Sequence, residues 1–126
     1  MVVVIEEEST EKLDEYDEGG SLLALTIQKS YNESEEKWIL VLEGEVDLYT
    51  ADKLKEAVNQ MLNEKLDDIR ILGDRLDYID STGLSVFISA LKKLQKEEKN
   101  IILANIKPSI KKLLNITGLD KIIIIE

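Results

Sequence analysis

A chain of 126 residues with an ordinary apolar share bounds the molecule to one domain around one core. It has no cysteine and no histidine. That excludes thiol nucleophiles, disulfides, structural zinc sites and imidazole acid–base chemistry, and with them most hydrolase and metalloenzyme mechanisms. The formal charge of −10 is uneven: residues 1–20 carry eight acids and one base, while the rest is nearly balanced. Such a chain offers no basic footprint to nucleic acid or anionic lipid, so a protein or small molecule is the expected partner.

In chain order, Met1 to Ile5 is apolar but too short for a signal peptide and is followed by acids; nothing approaches a membrane-spanning length. A cytoplasmic protein is expected. Residues 1–20 read as an acidic, mobile extension, because Leu13 and Tyr16 are too few anchors to offset the entropy of ordering it; a docked strand is the alternative. Gly19-Gly20 reads as a linker, with the folded domain over residues 21–126.

Leu23, Leu25 and Ile27 alternate with smaller or polar side chains, and Trp38 to Leu42 is a second apolar run. Together they predict an antiparallel hairpin with a longer loop. Gly44-Glu45-Val46-Asp47 closes it. Thr50 is a candidate cap for a helix whose apolar face is Leu54, Val58, Met61 and Leu62.

Ile69 to Leu72 predicts a buried strand, and Leu84, Phe87, Ile88, Leu91 and Leu94 recur at the spacing of one helix face. The junction Asp80-Ser81-Thr82-Gly83-Leu84 is therefore a helix start. Ser81 and Thr82 are its expected caps, since a side-chain oxygen there can accept from an amide left unpaired in the first turn. Gly83 permits close approach of another backbone. Residues 101–106 predict another strand; Pro108 opens a helix with Ile110, Leu113 and Leu114 inward; Gly118 ends it, and residues 122–125 form a last strand. Helices alternating with apolar strands predict an α/β fold: a mostly parallel mixed sheet of about five strands with helices packed against it.

This order, and three stretches within it, resemble the STAS domain of bacterial anti-anti-sigma factors, also called anti-sigma factor antagonists. Gly44-Glu45-Val46-Asp47-Leu48-Tyr49-Thr50-Ala51 is similar to the family's Gly-Glu-Leu-Asp strand end. Tyr78-Ile79-Asp80-Ser81-Thr82-Gly83-Leu84 is similar to its aromatic-Ile-Asp-Ser-Ser-Gly-Leu phosphorylation signature, and residues 113–121 to its closing helix and turn. The resemblance implies a regulator that, unmodified, binds an anti-sigma factor serine kinase and frees a sigma factor. The kinase phosphorylates the serine after the aspartate, here Ser81, and a phosphoserine phosphatase resets it. Capping and phosphate acceptance are compatible, because both need an exposed hydroxyl at a helix start. Asp47, Tyr49, Asp80, Ser81, Thr82, Gly83 and Leu84 are the expected partner-binding residues; Tyr49 and Leu84 are each equally readable as core. No cofactor, metal or catalytic residue is expected, and Asp47, Asp77 and Asp80 read as solvated or capping carboxylates rather than a magnesium site. The family's usual final helix has no counterpart after residues 122–125.

Other readings stay open. A receiver-like domain would use Asp80 as phosphoacceptor, but its early acidic pair and later lysine are not evident. An aspartic hydrolase is suggested by Asp80-Ser81-Thr82-Gly83, yet Ser81 interrupts the Asp-Thr-Gly string. A STAS scaffold or small-ligand sensor that is never phosphorylated is the stronger rival.

Overall fold

The computed structural model describes residues 4–16 and 22–126, with side chains described from Leu25 onward. The strands are β1 (Val4–Tyr16), β2 (Leu22–Asn32), β3 (Lys37–Val46), β4 (Asp68–Ile79), β5 (Ile101–Ala104) and β6 (Ile124–Ile125), and the helices α1 (Ala51–Glu64), α2 (Ser81–Gln95) and α3 (Pro108–Thr117). A 3₁₀ turn, Leu119–Lys121, links α3 to β6. The expected Gly19-Gly20 linker lies outside the described residues.

The strands lie side by side in chain order in one sheet. The first three are antiparallel neighbours, and β3, β4, β5 and β6 are parallel. The α/β architecture read from alternating helical and apolar segments is therefore present. Consecutive parallel strands joined by right-handed crossovers place the three helices on one face. That face carries Trp38, Leu40 and Leu42 of β3, Ile69 and Ile71 of β4, and Ile101 and Leu103 of β5, which join Leu54, Met61, Phe87, Leu91 and Leu114 of the helices in one core.

Three local expectations need correction. The strand expected to end at Leu72 continues to Ile79, because β3 supplies a partner as far as the Val46–Ile79 pair. The last strand shrinks to Ile124–Ile125, since the turn after Gly118 absorbs the residues before it. Gly118 adopts the left-handed conformation that terminates α3, with φ 77°. The β5 strand stops at Ala104, short of Ile106.

A polar cluster clamps the α1–β4 connection onto the hairpin. The Tyr31 hydroxyl donates to Asp67 Oδ2 at 2.5 Å, and Lys99 Nζ lies 3.2 Å from Asp67 Oδ1. Trp38 stacks edge-on against Tyr31 with centroids 5.2 Å apart, and its Nε1 donates to Lys65 O at 2.8 Å. Burial first, then the bond and charge of Asp67, hold the Tyr31 phenol above its ordinary range. The Asp67 hydrogen bond likewise raises Lys99. In both cases the folded state keeps its proton longer than the unfolded chain, so this stabilisation is full below about pH 10 and is lost as pH rises further. Urea denaturation from neutral to alkaline pH is expected to show that fall. Tyr31→Phe leaves Asp67 Oδ2 without its donor and is expected to lose about 1–3 kcal/mol at neutral pH while flattening the alkaline decline. An unaltered alkaline slope would assign the effect to Lys99 instead.

Candidate functional site

The C-terminal ends of β3 and β4 lead directly into the starts of α1 and α2, so the two loops lie at one edge of the sheet. In open parallel sheets this is the edge where recognition sites form. Val46 O accepts from Asp80 N at 3.1 Å, which ties the two loops together.

Each loop is built around an aspartate. Asp47 Oδ1 accepts from Tyr49 N at 2.9 Å and Thr50 N at 3.2 Å, a side-chain turn that replaces a backbone one. Thr50 occupies the cap position of α1, but its side chain makes no cap bond; the hydroxyl instead donates to Glu45 O at 2.8 Å and accepts from Asp47 N at 3.0 Å. The tight turn forces the two residues after Asp47 outward, leaving Leu48 69% and Tyr49 57% exposed.

The second aspartate caps α2. Asp80 has extended backbone and its Oδ1 accepts from Thr82 N at 2.9 Å and Gly83 N at 3.1 Å. The expectation that Ser81 and Thr82 do the capping is thus corrected. They are already helical, and the capping group must precede the first helical residue. Ser81, relieved of that duty, is exposed at the first position of α2, and among the described residues its hydroxyl makes no hydrogen bond. It lies at the positive dipole end of α2, where the Thr82 and Gly83 amides are already taken by Asp80.

Gly83 explains how the helix start sits so low on the sheet. A Cβ there would lie 2.6 Å from Ile79 Cγ1 and 2.7 Å from Val46 Cγ1. Leu84 follows it into the core, 4% exposed. Of the expected partner-binding residues, Tyr49 and Ser81 are therefore on the surface, Asp47, Asp80 and Thr82 are half-buried, and Gly83 and Leu84 are inside, where they set the height of the helix.

The third helix contributes what the sequence did not reveal. Its start lies across a groove of about 390 Å³ whose walls include Asp77, Tyr78, Ser81, Leu84, Ser109 and Leu113. Lys107, at the α3 cap position, donates to and pairs with Asp77 on the rim. Tyr78, 47% exposed, joins Leu48 and Tyr49 as apolar surface near Ser81. Leu48 and Tyr49 after Asp47, and Tyr78 at the head of the signature string, were the available signal for this surface. Among the described residues, no group of three or more acidic side chains is placed to hold a metal ion, and no helix is long and apolar enough to cross a membrane.

Comparison with known proteins agrees with this geometry. The STAS domain family model matches residues 28–126. The anti-sigma-B factor antagonist of Listeria monocytogenes is 39% identical over 83 residues, 66% of this chain and 73% of that protein. Its namesake in Staphylococcus epidermidis is 37% identical over 76 residues, 60% of this chain and 70% of the relative. Among solved structures, the anti-sigma factor antagonist SpoIIAA in its unphosphorylated form aligns with TM-score 0.68 at 20% identity, covering 79% of this chain and 87% of that one. The phosphorylated form of SpoIIAA, from Bacillus, aligns with TM-score 0.63 at 20% identity, covering 79% and 90%.

Proposed function

The chain belongs to the STAS-domain family of anti-sigma factor antagonists, whose domains are regulatory rather than catalytic, and on that premise we propose that it is a protein-binding regulator switched by phosphorylation of Ser81. Unmodified, it binds an anti-sigma factor that is also a serine kinase, and so releases a sigma factor in the cytoplasm. Phosphorylation weakens that complex, and a phosphoserine phosphatase restores it.

The observation that carries the reading is the position of Ser81: an exposed, unengaged hydroxyl on the first turn of α2, held there by the Asp80 cap and the Gly83 contact. A phosphoacceptor need supply only a reachable oxygen. Ser81 Oγ would attack the γ-phosphorus of ATP, forming the Oγ–P bond as the bond to ADP breaks, with the hydroxyl proton passing to a base on the kinase. The exposed apolar residues Leu48, Tyr49 and Tyr78 give the partner something to bury around that oxygen. Phosphate adds about −1.5 to −2 charges and considerable bulk at the same spot.

The test is to incubate the purified chain with a candidate kinase and ATP and to map phosphate by peptide mass spectrometry. Phosphate on Ser81, lost in Ser81→Ala, is the expected result. Stable association with no modification would instead identify a scaffold or small-ligand sensor.

A further inference from the structure

Ser81 opens onto the groove of about 390 Å³ between the end of β4, the start of α2 and α3. Among the described residues lining it are two acids, Asp77 and Asp80, and no base. A phosphate on Ser81 would therefore sit among like charges. The helix start offers it little relief, because Asp80 Oδ1 already accepts from the Thr82 and Gly83 amides. A cation stands on the opposite rim: Lys107, at the cap position of α3, pairs with Asp77.

Lys107 is placed to change partner. Its backbone is fixed in the extended conformation favoured before proline, and its carbonyl accepts from the Ile110 and Lys111 amides at 3.0 Å each. Its side chain is a flexible four-carbon stem, and the pair it makes is solvated, with the lysine side chain 41% and the Asp77 side chain 61% exposed. Such a pair is weak and easily exchanged. A phosphoserine brings to the same groove up to about twice the charge of Asp77, with three strong acceptor oxygens.

We propose that Lys107 is the phosphate-binding residue of the modified chain: once Ser81 carries phosphate, the Lys107 ammonium leaves Asp77 and pairs with the phosphoryl oxygens across the groove. The proposal rests on Ser81 as the phosphoacceptor and adds where the new charge is held. The exchange ties the start of α3 to the start of α2. It also strips Asp77 of its counter-ion, so the added negative charge is spread over both rims of the groove instead of being confined to one side chain.

The test uses the full chain with phosphoserine placed at position 81 during synthesis, so its outcome does not depend on whether a kinase reaches the site. Failure here overturns the ion-pair exchange alone; the phosphoacceptor reading stands or falls on the kinase experiment. Phosphorus NMR follows the second ionisation of the phosphate, which for phosphoserine is centred near about pH 6. The charged and titratable groups facing it are Asp77, Tyr78 and Asp80 at the end of β4 and Lys107 from α3. Lys107→Met should raise the midpoint by about 0.5 pH, since a neighbouring cation favours the dianion, and Lys107→Arg should restore it. Asp77→Asn should lower the midpoint, and by more when Lys107 is present than when it is methionine. Lys112→Met, on the same helix but outside this groove, is the control for diffuse charge and should leave the midpoint in place. Amide spectra check that each variant is folded. An unchanged midpoint in Lys107→Met, or an equal rise in Lys112→Met, would overturn the proposal. So would an Asp77→Asn effect of the same size with and without Lys107, because Asp77 and the phosphate would then not be sharing one cation.

Discussion

Ser81→Asp is expected to lower affinity for the partner anti-sigma factor by about tenfold or more, whereas Ser81→Ala should bind within about threefold of the unmodified chain. The difference follows from what surrounds the oxygen. A new unit charge about 5 Å from one carboxylate, at an effective dielectric of 20, costs on the order of 3 kcal/mol, while the helix start returns roughly 0.3 to 1 kcal/mol. Asp80 cannot readily swing away, because its Oδ1 already accepts from the Thr82 and Gly83 amides. Asp77 is partly neutralised by Lys107, so the nearest uncompensated charge is that of Asp80. In the free protein, water screens the new charge; in the complex, burial against Leu48, Tyr49 and Tyr78 would strip that water away. The penalty therefore falls on association rather than on folding. Titration calorimetry with the partner, alongside urea melts of both variants, separates the two. Equal affinities for Ser81→Asp and Ser81→Ala would remove the electrostatic switch and leave only steric bulk or no switch at all.

Much of this arrangement was legible because local pattern and tertiary role coincide. The inward faces of α1 and α2 were readable from helical spacing alone: Leu54, Val58, Met61 and Leu62, like Leu84, Phe87, Leu91 and Leu94, are buried, and Ile88 of the same predicted face is half-buried against the core. Pro108 and Gly118 mark both ends of α3 through backbone restrictions that need no neighbours. The end of β4 was not legible. After Leu72, burial falls at Gly73, Leu76 and Ile79 instead of alternating, and the pairing with β3 shifts register at Val41–Glu43 and again at Gly44–Glu45. At both places β4 carries the extra residue, and a strand that bulges against its partner loses the period of two on which sequence reading depends.

Within the site, Asp80, Ser81 and Thr82 are all competent capping types, so composition could not choose among them. The choice is made by the strand, which holds Asp80 extended and leaves Ser81 helical and exposed. Leu84 was ambiguous for a different reason: a leucine after a glycine at a helix start serves equally as an anchor for a partner or for the core, and only the closeness of α2 to the sheet decides. The groove opposite α3 required two elements far apart in sequence, β4 and α3, to be brought together, which no local pattern reports.

Replacing Gly83 by alanine should lower stability by about 1–3 kcal/mol, although alanine is intrinsically the better helix former by roughly 0.5–1 kcal/mol. The added methyl would sit 2.6 Å from Ile79 Cγ1 and 2.7 Å from Val46 Cγ1, inside the distance at which carbon atoms can coexist. Both neighbours are β-branched, buried and paired with each other across the sheet, so neither has a free rotamer to retreat into. The remaining response is for the first turn of α2 to rise off the strand ends, carrying Ser81 with it and stretching the Asp80 cap. Gly83→Ala is therefore expected to weaken partner binding as well as folding, and Gly83→Val more severely in both. Ser89→Ala, at an exposed position on the same helix, is the control for helix propensity and should be neutral or slightly stabilising. Urea midpoints measured with constant m-values would report the comparison. A Gly83→Ala chain as stable as the Ser89→Ala control would mean that α2 does not rest on Val46 and Ile79, and that the height of Ser81 above the sheet is set by the Asp80 cap alone.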